Sequence, residues 1–82
     1  TSIHTLFNDQ LEIYEFIVSK DSLVCNKQLK DINMRKKAIV AGVTDKEGNS
    51  SIPTGITSLK EGDTVLVAVM RDSSEFIQKL FG

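Results

Sequence analysis

The chain has 82 residues and a formal net charge of −1. That is enough polypeptide for one domain, and the charge offers no electrostatic pull toward nucleic acid or an anionic membrane surface. Hydrophobic residues make up 40% and aromatics 6%, with no Trp, so a core must rest mainly on Ile, Val and Leu.

A domain this small buries a modest fraction of its surface and gains from a partner. No apolar run has the length of a membrane span, so direct membrane insertion is not expected, and no signal peptide is read at the start. The chain starts at Thr1, which fits a piece of something larger and equally a chain whose Met has been removed. Residues 1–10 carry Ile3, Leu6 and Phe7 without a clear period and read as a lead-in segment, in the manner of the end of a connecting helix. Residues 11–82 then read as one domain.

Leu11–Val18 alternates, with Leu11, Ile13 and Glu15 on one side and Glu12, Tyr14 and Phe16 on the other. Its β-branched and aromatic content favours a strand, and since neither side is wholly polar both are expected to be covered. Asp21-Ser22 starts a turn. Asn26–Ile32 is polar apart from Leu29 and Ile32, three apart, which suits a short helix with one buried stripe. Ala38–Thr44 is a second strand. Asp45–Asn49 is a hairpin loop with Gly48 where positive φ is expected, and Ser50–Pro53 a short third strand that Pro53, lacking an N–H, should end.

Leu59-Lys60-Glu61-Gly62-Asp63 is a tight turn: Gly62 takes φ > 0 without steric cost, and the Asp63 side chain can bond backbone N–H groups. It delivers the chain into a fourth strand, Thr64–Met70. Asp72-Ser73-Ser74-Glu75 has the spacing of a capping box with Asp at the cap. The helix it opens carries Phe76, Ile77, Leu80 and Phe81 on one face. That stripe reads as core, with part of it available to a dimer face. The order is therefore β-α-β-β-β-α, an α+β class domain with a small mixed sheet.

Most catalytic templates lack their parts. The chain has one His, His4, and one Cys, Cys25; with no acid/base cluster beside them, neither a metal site nor a nucleophile triad is expected, and the chain reads as no enzyme. His4 reads as a surface or linker residue and Cys25 as a small core residue. Asp45, Glu47 and Asn49 put oxygen ligands around a loop, but without a longer series they read as hairpin solvation. Lys27, Lys30, Arg35, Lys36 and Lys37 form the one basic cluster. It reads either as a solvated surface helix and turn or as an anion site, in which Arg35 would give the bidentate phosphate contact a lysine cannot. Neither G-x-G-x-x-G nor a P-loop is present, so dinucleotide binding of the Rossmann type is not expected here.

The ordered set of Leu11–Val18, Asp21-Ser22, Leu29-Lys30-Asp31-Ile32, Ala38–Val43, Ile52-Pro53, Leu59–Asp63 running into a strand, and Glu75–Phe81 resembles the TrkA-C family, the C-terminal subdomain of RCK (regulator of K⁺ conductance) proteins. The resemblance covers nearly the whole chain from about Leu11 onward. It implies a cytoplasmic, ligand-sensing and dimerising regulatory domain, associated with or fused to an inner-membrane transport protein for K⁺ or another cation. Such domains usually follow a Rossmann-like subdomain that binds NAD or ATP. That subdomain is not in this sequence, so no cofactor is expected in this chain itself.

In some members a small ligand, cyclic di-AMP among them, sits between the protomers of a homodimer. By that resemblance Ile32, Asn33, Arg35, Ala38 and Ile39 are the candidate ligand-binding residues, with Arg35 toward phosphate and Ile32, Ala38 and Ile39 walling an apolar groove. Lys37 stands where the family often has a small residue, and Ile39 offers no hydrogen bond to a base; both depart from the pattern of the cyclic-dinucleotide binders. The reading from a different class is a structural dimerisation or interaction domain with no ligand.

Overall fold

A computed structural model describes the backbone of Ile3–Leu6 and the whole of residues 10–82. Five strands form one sheet: β1 (Ile3–Leu6), β2 (Leu11–Ile17), β3 (Ala38–Thr44), β4 (Ser50–Ser51) and β5 (Thr64–Met70), in the spatial order β1-β2-β5-β3-β4. One helix, α1 (Ser74–Phe81), closes the chain. The α+β class stands. The sheet, however, is wholly antiparallel rather than mixed. β2 and β3 do run the same way, but β5 enters between them and pairs antiparallel with both.

The N-terminal segment holds a strand where a helix end was expected: Ile3–Leu6 pairs with Leu11–Tyr14, so the lead-in adds an edge to the sheet. The side chain of His4 lies outside the described residues. The short helix expected over Asn26–Ile32 shrinks to a single 3-10 turn, Leu29–Asp31. Its neighbours bond sideways instead, Asn26 N–H to the Leu59 carbonyl and Leu29 N–H to that of Thr57, which draws the segment onto the loop before β5. The third strand ends at Ser51 rather than at Pro53.

The core lies on one face of the sheet. Tyr14, Phe16 and Val18 from the β2 side and Val65, Val67 and Val69 from β5 are buried against Val24, Leu59, Ile77 and Phe81. Phe16 stacks between two rings, 5.6 Å from Tyr14 and 5.3 Å from Phe81, each such pair contributing about 0.5–1.5 kcal/mol beyond area burial. The other face is open, contrary to the expectation of cover on both sides: Ile17 is 71% and Ile39 63% exposed. No helix follows on that side, because α1 is the only one among the described residues and packs over the core.

The Gly-Asp turn does what its residues demand. Gly62 sits at φ 89°, and the Asp63 carboxylate accepts the Lys60 N–H at 2.9 Å. The turn is stitched to the end of β2 by Gly62 N–H to the Val18 carbonyl and Val18 N–H to that of Asp63, which sets where β5 starts beside β2.

The capping box does not form. Arg71–Ser73 make a 3-10 turn ahead of α1, and Ser73 takes the cap position with no side-chain cap bond. Its hydroxyl donates to Asp72 Oδ1 instead, at 3.2 Å. The extra turn moves the start of the helix two residues past Asp72 and out of its reach.

Candidate functional site

The segment between the 3-10 turn and β3 carries two consecutive left-handed residues with side chains. Arg35 and Lys36 both take positive φ, 56° and 58°, and Lys37 N–H closes the turn on the Met34 carbonyl at 3.1 Å. Two consecutive left-handed residues make a type I′ turn, normally given to Asn and Gly. Here two long cationic residues occupy it. The Asn33 carboxamide steadies the entry, its Oδ1 accepting the Arg35 N–H at 3.0 Å.

The turn sends its two cations to different places. The Arg35 guanidinium lies over the Phe76 ring, 4.3 Å from its centroid. Arg35 lines a groove of about 330 Å³ together with Leu23, Val24, Lys27, Asp31, Ile32, Asn33, Phe76 and Leu80. Lys36 and Lys37 line a second groove of about 270 Å³ with Leu11, Ala38, Ile39, Ala68 and Met70. Of the five candidate residues, Ile32, Asn33 and Arg35 therefore come together, while Ala38 and Ile39 belong to the other groove. The chain reverses between them at Arg35-Lys36, so closeness in sequence did not survive as a shared wall. The basic cluster is split by the same reversal.

The first groove offers a defined chemistry. Arg35 and Lys27 supply positive charge, Phe76 a flat face, and Leu23, Ile32 and Leu80 apolar walls; Asp31 is the one acid. Phe76 and Leu80 are half-buried and pack against the core cluster, so the helix stripe divides into core (Ile77, Phe81) and groove wall. An anion carrying a flat or apolar portion fits that mixture, because guanidinium and ring are already paired and the charge is held at the rim. Cys25 is half-buried and packs against the same core. In the hairpin loop Asp45 Oδ1 is occupied by the N–H groups of Glu47 and Asn49, which serves the turn. Among the described residues no group of three or more His, Cys, Asp or Glu is placed to hold a metal ion.

A polar chain beneath α1 was not legible from residue types. Tyr14 donates its hydroxyl to Glu12 Oε1 at 3.0 Å, and Gln78 Nε2 donates to the Tyr14 oxygen at 3.1 Å. Glu12 and Tyr14 are both buried. Burial, and then the hydrogen bond to Glu12, push the Tyr14 phenol above its ordinary pKa. Glu12 lies two residues before Tyr14 on the buried side of β2; that alternation placed both on one face but did not reveal the helix residue that completes the chain.

Comparison with known proteins agrees with this architecture. The TrkA-C domain model matches residues 13–82. A Trk system potassium uptake protein TrkA homolog of Pyrococcus abyssi is 29% identical over 69 residues, covering 84% of this chain and 30% of the relative. The corresponding homolog of Pyrococcus horikoshii is 28% identical over the same length and shares. TrkA homolog 2 of Methanosarcina mazei is 30% identical over 80 residues, 98% of this chain and 18% of the relative. The chain thus spans under a third of the length of the curated relatives it matches.

Proposed function

The chain belongs to the TrkA-C domain family, and on that footing we propose that it is a ligand-sensing, dimerising regulatory domain of a potassium or other cation transport protein. It acts on the cytoplasmic side, attached to or associated with a membrane-embedded transporter or channel subunit. The relatives' names, which describe potassium uptake proteins, support the transport context. No helix among the described residues is long and apolar enough to cross a membrane.

The observation that carries the sensing role is the Arg35–Phe76 pair at the mouth of a groove with Lys27 and apolar walls. An anionic ligand with a flat portion, a nucleotide or cyclic dinucleotide in class, would bind there through Arg35 and Lys27. It would shift the balance between two protomer arrangements only by its differential affinity for them. No step of chemistry is required of the domain.

Thermal unfolding in the presence of cyclic di-AMP, ATP or NAD tests the role. A ligand present at a hundred times its Kd stabilises the fold by about 2.7 kcal/mol and raises the midpoint, and Arg35→Ala should remove the shift. No shift with any of the three would leave the second reading, a structural dimerisation domain. That reading draws on a different feature, the apolar open face of the sheet.

A further inference from the structure

An antiparallel sheet with one face in water normally shows polar residues there. On the open face of this sheet the register instead lays out Leu11 beside Met70, then Ile13, Ala68 and Ile39 in one row, then Glu15, Leu66 and Gly42. Ile39 is 63% exposed and Met70 41%. The face is also polarised along the strands. Lys36 and Lys37 stand in the groove at the Leu11–Met70 end, and Glu15 stands in a groove at the Leu66–Gly42 end.

We infer that this open sheet face is the surface on which a second copy of the chain docks, the two sheets face to face, with Glu15 of each copy toward the lysine-bearing end of the other. The inference rests on the dimer proposed above and adds which surface makes it.

A two-fold interface must be complementary to itself. Take the axis across the strands at the Ile13–Ala68–Ile39 row. Rows two residues apart along a strand are separated by about 7 Å, so the Glu15 row of one copy falls over the Leu11–Met70 row of the other, and the reverse holds by symmetry. The apolar row is then buried at the centre and the opposite charges sit at the rim, which is the ordinary anatomy of a protein interface. Ala68 at the middle keeps the two sheets free to approach to about 10 Å. A partner of one charge sign would match one end of this face and be repelled at the other; a second copy, turned end for end, matches both.

Sedimentation velocity over a concentration series tests this on the 82-residue chain. Ile39→Lys should keep the wild-type circular dichroism spectrum, since that side chain lies mostly in solvent, and should sediment as a monomer. Glu15→Lys alone and Lys37→Glu alone should each weaken self-association at least tenfold, and the double exchange should restore it. A dimer that survives Ile39→Lys, or charge exchanges that do not rescue one another, would overturn the assignment of the face while leaving the dimer standing. A wild-type chain that stays monomeric throughout would overturn both.

Discussion

The Arg35 guanidinium stands 4.3 Å from the centroid of the Phe76 ring, joining the turn before β3 to the final helix. Arg35 sits in an exposed turn, so the pair is worth about 0.5–1 kcal/mol. A double-mutant cycle of Arg35→Ala with Phe76→Leu, read by urea unfolding, should show a coupling energy of that size. A coupling indistinguishable from zero would mean that the guanidinium is not held on the ring in solution.

Lys36, at φ 58°, is in a conformation that costs a residue with a Cβ about 1 kcal/mol or more. Lys36→Gly relieves it and should raise the urea midpoint, although glycine's greater freedom in the unfolded chain offsets part of the gain. Lys36→Val, β-branched, should lower the midpoint by more than the glycine raises it. The opposite order would show that the turn is not left-handed.

At Gly62 the direction reverses. Its φ is 89°, and an added Cβ would collide with the aliphatic part of Lys46, which lies across the turn. Gly62→Ala should destabilise by about 1–3 kcal/mol through backbone strain alone. Pairing it with Lys46→Ala should recover only the part due to the collision. Equilibrium unfolding of the single and double variants separates the two contributions.

Tyr14 is the only tyrosine and there is no Trp, so the ultraviolet absorbance of the phenolate reads one group. Burial and the bond to Glu12 raise its pKa in the folded chain. The unfolded chain therefore ionises first. The associated stability is fully present below the unfolded value of about 10 and is lost as pH rises through the folded one. The absorbance midpoint should lie higher in buffer than in guanidinium chloride, and Glu12→Gln should lower the folded midpoint. Equal midpoints in both solvents would contradict the burial of Tyr14 and its bond to Glu12.

Much of the fold was legible because local chemistry and tertiary structure agree. The alternation in Leu11–Val18, the apolar run Thr64–Met70 and the Gly62-Asp63 turn each appear where their residue types place them. What was not legible depends on long-range pairing. Ile3–Leu6 becomes a strand only because β2 offers it an edge, and Asn26–Gln28 leaves the helical pattern to bond the segment before β5.

For the site, Ile32, Asn33 and Arg35 line one groove and Ala38 and Ile39 another, because the chain reverses at Arg35-Lys36. Left-handed Arg and Lys have no signature in residue type, since positive φ is ordinarily announced by Gly or Asn. Phe76 could be placed on the apolar stripe of a helix, but nothing in its spacing said that it would face Arg35.

The most direct test of the sensing role is a ¹H–¹⁵N correlation spectrum of the chain titrated with cyclic di-AMP, ATP and NAD in turn. One of them should shift the amide signals of Asn33–Lys37 and of Phe76 together, saturating with a single Kd, and Arg35→Ala should abolish the effect. Spectra unchanged by all three, or shifts that leave Asn33, Arg35 and Phe76 untouched, would contradict a ligand site in this groove.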